Sequence, residues 1–319
     1  MEHVFGPVLS RRLGMSLGID PIPLKTCNWN CVYCQLGRTI PLTNERREYF
    51  PRQEILDGII LALDKHSPGE IDWVTFVGSG EPTLHTGLGW LIRRVKRISA
   101  LPVAVITNGA LLYLPEVRRE LSAADAVLPS LDAGDAQQYK AINRPWPALK
   151  FECVVDGMVA FRREYCGELW IEVMLLHGMN DCDVSLRKLA RHMETIQPDQ
   201  VHLNQPVRPP AEAWVLPPEE SAILCASEIF GEIAKVVPPS KVSIGISQDD
   251  DLVRAILEIV SRHPMSENEL LEALHNWKPN EVNENLRLLQ SSGKAQVVER
   301  YGQRFWSAIS ARYSDRDKG

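Results

Sequence analysis

The chain has 319 residues, of which 24% are charged and 45% hydrophobic, and its formal net charge is −6. That length accommodates one large α/β domain and a small appendage, while the acidic balance excludes a molecule devoted to nucleic-acid binding and leaves room only for a local basic patch. The opening MEHVFGPVLSRRLG has no apolar signal core, and no apolar run approaches the roughly 20 residues of a membrane span, so a cytoplasmic protein without membrane contact is expected.

In chain order, SLGIDPIPL reads as a strand that leads into a cysteine-containing loop. RQEILDGIILALDKH has the spacing of an amphipathic helix, and IDWVTFVG that of a buried strand ending in glycine. LGWLIRRVKRIS (helix), PVAVIT (strand), EVRRELSA and AVLPSLDA continue the alternation. A helical stretch near 147–164, the strand LWIEVMLL, a helix around 184–196 and the strand QVHLNQPV complete it. About six β–α repeats call for a parallel sheet with helices outside it. Polar and glycine-containing motifs recur at the carboxyl ends of the strands, so a partial (β/α)6 barrel fits better than a flat sheet.

The pattern changes after the segment 236–251. LVRAILEIVSRH, SENELLEAL and PNEVNENLRLLQSSG are three short helices, with Ser266 and Glu269 spaced as a capping box. AQVVERYGQRFWSA then reads as a hairpin around Tyr301-Gly302. The predicted division is an α/β partial-barrel domain over 1–247, a small winged-helix-like domain over 248–312 and a disordered tail over 313–319. The third helix carries Glu281 and Glu284 against Arg287, and only Arg300 and Arg304 of the hairpin are basic. Phosphate contacts demand positive charge, so DNA is not an expected partner, and a protein-contact or substrate-docking role fits this module better.

CNWNCVYC places Cys27, Cys31 and Cys34 in eight positions. Thiolates so spaced suit a soft metal centre, and zinc and an iron–sulfur cluster are both candidates. A closed zinc site needs a fourth ligand, and residues 35–64 contain no Cys or His. A four-iron cluster held by three cysteines leaves one iron open. Cys153, Cys166, Cys182 and Cys225 are scattered and read as buried free cysteines.

The motif CNWNCVYC resembles the cluster loop of the radical S-adenosylmethionine (radical SAM) superfamily, and three further motifs follow at strand ends. VGSGEPTLH supplies Gly78, Ser79, Gly80 and Glu81, VITNGALL supplies Thr107 and Asn108, and LPSLDAGD supplies Ser130 and Asp132. The resemblance implies a [4Fe-4S] cluster on the three cysteines and S-adenosylmethionine bound by these eight residues. It further implies reductive cleavage to a 5′-deoxyadenosyl radical, which takes a hydrogen atom from a substrate, and a reductant such as a flavodoxin or ferredoxin. SRRLGMSLGID, YKAINRPWP and LNQPVRPP place Arg11, Arg12, Asn143, Arg144, Asn204 and Arg208 as candidate substrate ligands, arginine being suited to carboxylate or phosphate. Together these stretches resemble the branch related to wyosine synthases, which modify a guanosine of transfer RNA. That implies a nucleobase-like substrate, free or within transfer RNA. In contrast to wyosine synthases, residues 1–26 contain no cysteine. An iron–sulfur redox regulator and an enzyme that places a radical on a partner protein are the alternative readings.

Overall fold

Alternation within the strands decides which side of the sheet each residue serves. In a computed structural model, which describes residues 3–238 and 251–314, β4 (Val103–Thr107) sends Val103 and Val105 to the main core and Ala104 to a separate small cluster. Likewise β5 (Ala126–Pro129) splits Val127 from Ala126 and Leu128. This period of two gives the sheet a helix-covered outer face and an inner face with its own packing. The small inner cluster, Leu13, Ala104, Ala126 and Leu128 with Trp73 and Trp170 against it, fills part of the interior.

The strands pair in chain order. β1 (Val4–Ser10) lies antiparallel to β2 (Gly14–Ile19), and β3 (Trp73–Phe76), β4, β5, β6 (Glu168–Met174), β7 (Gln200–Asn204) and β8 (Ala234–Val236) follow in parallel. Each connection therefore advances to the next neighbour on the same side, as in a barrel, and the order never reverses as in a doubly wound sheet. The connecting helices are α1 (Arg52–Leu63), α2 (Leu88–Ile98), α3 (Pro115–Leu121), α4 (Ala136–Ile142), α5 (Phe151–Glu164), α6 (Asp183–Ile196) and α7 (Glu220–Phe230). In α2, Leu88, Leu91, Ile92 and Val95 are buried while Arg93, Arg94, Lys96 and Arg97 face solvent. This is the apolar stripe that the spacing predicts.

The structure adds elements to those expected. β1 turns the amino terminus into an edge strand, and β8 extends the parallel run beyond β7. α4 occupies residues to which the sequence reading assigned no helix; Asp135 caps it by accepting from the amides of Gln137 and Gln138.

The carboxyl-terminal module has its own core, built from Ile256, Ile259, Leu270, Leu286 and Trp306. It comprises α8 (Leu252–Arg262), α9 (Glu267–Ala273), α10 (Pro279–Ser291) and an antiparallel sheet of β9 (Met265–Ser266), β10 (Ala295–Arg300) and β11 (Gln303–Ala308). The Ser266–Glu269 capping box is formed, and Tyr301 and Gly302 both have positive φ in the hairpin turn. The boundary expected at 247/248 lies outside the described residues, as do residues 315–319. Tyr313 and Ser314, assigned to the tail by the sequence reading, are hydrogen bonded: the Tyr313 hydroxyl donates to the Gln35 carbonyl and the Ser314 amide to that of Ala211. Among the described residues no helix is long and apolar enough to cross a membrane.

Candidate active site

Between β2 and α1 the chain runs from Asp20 to Pro51 without a helix or strand. Such a loop needs outside partners for its backbone groups. The amides of Asn30 and Val32 donate to the carbonyls of Asn143 and Ile142, the Trp146 amide donates to Asn28, and the Lys25 amide donates to Ser79. These bonds tie the cysteine loop to the ends of α4 and β3.

Each cysteine sulfur faces a donor. Trp29 N lies 3.4 Å and Asn108 Nδ2 3.7 Å from Cys27 Sγ, Asn143 Nδ2 lies 3.7 Å from Cys31 Sγ, and Lys25 Nζ lies 3.1 Å from Cys34 Sγ. Burial, reinforced by the Glu81 carboxylate, pushes the Cys27 thiol up to about 12. Burial, then the neighbouring Cys27 and Asp132, raises Cys31 well above the ordinary thiol range. Burial works against the Lys25 ammonium, but Cys34 beside it more than offsets this, so its pKa is raised.

A cavity of about 150 Å³ lies beside Cys27 and Cys31, walled by Gly78, Gly80, Glu81, Thr107, Asn108 and Ser130 among others. The turn after β3 is fitted closely to the cysteine loop: a Cβ on Gly80 would stand 2.0 Å from the Thr26 carbonyl oxygen, so only glycine fits there. Glu81 is buried; its carboxylate accepts from the Thr83 and Thr107 hydroxyls and from the amides of Thr83 and Asn108. Burial pushes its pKa up against those donors. Ser79, which interrupts the glycine pair, turns away and donates from Oγ to Asp20 at 2.6 Å.

Asp132 is placed differently from its expected cofactor role. It is buried behind the cavity wall, accepting from the Tyr33 hydroxyl at 2.6 Å, from Asn143 Nδ2 at 2.7 Å and from the Met174 amide at 2.8 Å. Asp132 thus joins the cysteine loop, α4 and β6.

A second cavity, about 300 Å³, occupies the barrel interior. Its walls include Arg11, Arg12 and Arg208 from the barrel domain and Arg262, His263 and Met265 from the carboxyl-terminal module. The two cavities share Val77, Gly78 and Ile106 in their walls. Arg12 pairs with Glu172 and donates to Asn204 Oδ1 at 3.1 Å. Two other candidate substrate ligands go elsewhere. Asn143 is buried against Asp132 and Cys31, and Arg144 joins Arg38 on Glu212. The scattered cysteines also differ from expectation: Cys153, Cys166 and Cys182 are exposed, on the solvent side of helices and turns, and Cys225 is half-buried against the main core.

A family model described as the radical SAM superfamily matches residues 22–190. A UPF0026 protein of Methanocaldococcus jannaschii is 36% identical over 313 residues, covering 96% of both chains. The chain belongs to the radical SAM superfamily. The UPF0026 proteins fit a branch related to the one its motifs resemble. A GTP 3′,8-cyclase of Lactiplantibacillus plantarum is 29% identical over 163 residues, covering 50% of this chain and 45% of that one. A radical SAM methyltransferase from Sphaerobacter thermophilus shares the fold, with a TM-score of 0.51 at 17% identity over 69% of this chain and 66% of that one.

Radical SAM enzymes use a [4Fe-4S] cluster and S-adenosylmethionine, and the donor set here suits that pair. Among the described residues no three His, Cys, Asp or Glu side chains are grouped to hold a single metal ion. Three thiolates that each bind a different iron must stand further apart than ligands of one ion. The donors facing the three sulfurs match the hydrogen bonds that cluster thiolates accept.

Sequence reasoning missed Asp20, Glu172, Arg262 and His263. Asp20 stands just beyond β2, so the strand-end rule that selected Glu81 reaches it too. Arg262 and His263 carry no such signal, because they come from another module. Sequence reasoning also missed Glu212, which fastens Arg38 of the cysteine loop. Burial works against the Glu212 carboxylate, but Arg38 and Arg144 bring it down to about 2. A depressed acid contributes stability above its unfolded pKa and loses it as pH falls through the folded value. The Glu212 contribution is therefore lost between about pH 4.5 and pH 2. Acid titration followed by circular dichroism is expected to show a shallower loss of stability over that window in Glu212→Gln than in wild type.

Proposed function

We propose that this radical SAM enzyme abstracts a hydrogen atom from a nucleobase-like compound, free or within transfer RNA, held in the interior cavity. The observation that carries the reading is the wall of Val77, Gly78 and Ile106 common to the two cavities. What binds beside the cysteines and what binds in the chamber would then be neighbours at these three residues. Cys27, Cys31 and Cys34 would hold the cluster. Gly78, Gly80, Glu81, Thr107, Asn108 and Ser130 would hold S-adenosylmethionine, with Ser79 and Asp132 positioning the turn and the loop. A cluster and S-adenosylmethionine held there would supply the one-electron reductive chemistry that hydrogen-atom abstraction needs.

The protein contributes orientation and exclusion of water. The tight fit of Gly80 against Thr26 holds the turn at a set distance from the cysteine loop. Arg262, His263 and Met265 cover the chamber, which supports a substrate-docking role for the winged-helix-like module. Arg300 of its hairpin donates to the Ser314 carbonyl, and this argues against a nucleic-acid surface at that hairpin. A flavodoxin or ferredoxin would supply the electron. The nucleobase class is supported by the wyosine-synthase resemblance and by the relative named for GTP.

The test is an anaerobic reaction of cluster-loaded protein with dithionite and S-adenosylmethionine, run with a pool of nucleosides and nucleotides or with unmodified transfer RNA. One of the two is expected to raise 5′-deoxyadenosine several-fold over the substrate-free rate. No rise with either rejects the substrate class.

A further inference from the structure

Four guanidinium groups line the interior cavity, and three have a carboxylate to face. Arg12 pairs with Glu172, Arg208 Nη1 lies 2.6 Å from Glu269, and Arg262 Nε lies 3.9 Å from Asp20. Arg11 makes no ion pair among the described residues, and its Nη1 is buried without a hydrogen-bond partner. Burial, then the charges of Arg12 and Arg208, bring its pKa down to about 10 against the opposing attraction of Glu172. His263 offers no countercharge, being a buried base whose pKa burial and the nearby arginines lower to about 4. A buried charge without an ion pair is destabilising, and at Arg11 the only opposing attraction is that of Glu172, which is already paired with Arg12.

Apolar side chains also line the chamber. Phe5, Val8, Leu36, Ile106 and Met265 contribute to its walls, and Phe5 is held over Gly18 so closely that a Cβ there would meet its ring at 2.2 Å. The lining thus combines one guanidinium that makes no ion pair among the described residues with surfaces suited to a ring or short apolar body. A guanidinium fork matches the oxygens of a carboxylate or phosphate.

We infer that the substrate carries one acidic group, a carboxylate or a phosphate, that enters the chamber and pairs with Arg11 while its apolar body rests on Phe5 and Ile106. This rests on the chamber being the substrate site and narrows the substrate class to organic acids or phosphate esters that fit about 300 Å³.

The test uses the cluster-loaded full chain without reductant, so that binding is read apart from turnover. Isothermal titration calorimetry would compare benzoate, phenyl phosphate and the neutral isostere benzamide at matched ionic strength, in wild type, Arg11→Gln and Arg11→Lys. Wild type is expected to bind at least one of the two acids at least ten-fold more tightly than benzamide, and which one identifies the acidic group. Arg11→Gln is expected to lose that preference and to melt at or above the wild-type temperature, because the unpaired charge is gone. Arg11→Lys should keep part of it. The inference is overturned if neither acid binds wild type, if benzamide binds as well, if Arg11→Gln binds the acid unchanged, or if that variant melts well below wild type, which would make Arg11 a structural residue. A chain that cleaves S-adenosylmethionine but fails this test loses the acid anchor alone. A chain that passes it without cleaving keeps the anchor and loses the proposed reaction.

Discussion

Replacing Cys27, Cys31 or Cys34 by alanine is expected to reduce iron in the anaerobically reconstituted protein from about four per chain to below one. The three sulfurs each face a donor, from Asn108, Asn143 and Lys25, so each occupies its own prepared position. The pKa directions sharpen the expectation. Cys27 and Cys31 are raised by burial and by nearby carboxylates, so without metal they are protonated and unreactive at neutral pH. Loading the site must displace those protons, and a loop with one ligand missing exposes an open iron edge. Iron and acid-labile sulfide analysis, with electron paramagnetic resonance after reduction, reads the loss directly. Cys153→Ala, on an exposed helix position, should retain the full iron content. Equal iron in the Cys31→Ala variant and wild type would remove the cysteine loop from the cluster site.

The second large effect is on stability. Asp132→Ala is expected to lower the unfolding free energy by about 3 kcal/mol or more, measured as a shift in denaturant midpoint at constant slope. Three donors converge on this carboxylate, from Tyr33, Asn143 and the Met174 amide. Truncation strips all three of this acceptor and leaves Asn143 only the Cys31 sulfur at 3.7 Å, and each buried group left unsatisfied costs about 1–3 kcal/mol. Tyr33→Phe removes one donor and leaves the carboxylate two others, so its cost should be about a third as large. Because Tyr33 stands beside Cys34 and Asn143 beside the Cys31 sulfur, the loosened variant should also lose iron faster to a chelator. A stability change below 1 kcal/mol would mean that Asp132 faces a ligand and not the loop.

Asp132 also shows how far sequence could reach. Its place two residues beyond Ser130 at a strand end was legible. What the side chain meets was not, because a strand-end position does not tell whether a carboxylate faces a cavity or is already saturated by neighbours. The same ambiguity sent Asn143 and Arg144 to the substrate. The loop that carries them is folded back on the cysteine loop by bonds between residues more than 100 positions apart, and no local periodicity records such pairing. The barrel was legible because strand and helix patterns alternate from SLGIDPIPL to QVHLNQPV. β1 was not, since VFGPVLS contains Gly6 and Pro7 and breaks the alternation where its pairing with β2 slips. The chamber's cover was out of reach altogether: Gln35 Nε2 donates to the Arg262 carbonyl at 3.0 Å across 227 positions.

The measurement that bears most directly on the central claim is the yield of 5′-deoxyadenosine from S-adenosylmethionine. It would be read with dithionite-reduced, cluster-loaded wild type beside the Cys27, Cys31, Cys34 to alanine triple variant. The nucleoside is expected from wild type and absent from the variant. A reduced cluster that yields no 5′-deoxyadenosine with any substrate pool, or zinc in place of iron in protein purified without oxygen, would contradict the assignment of these cysteines to a radical site.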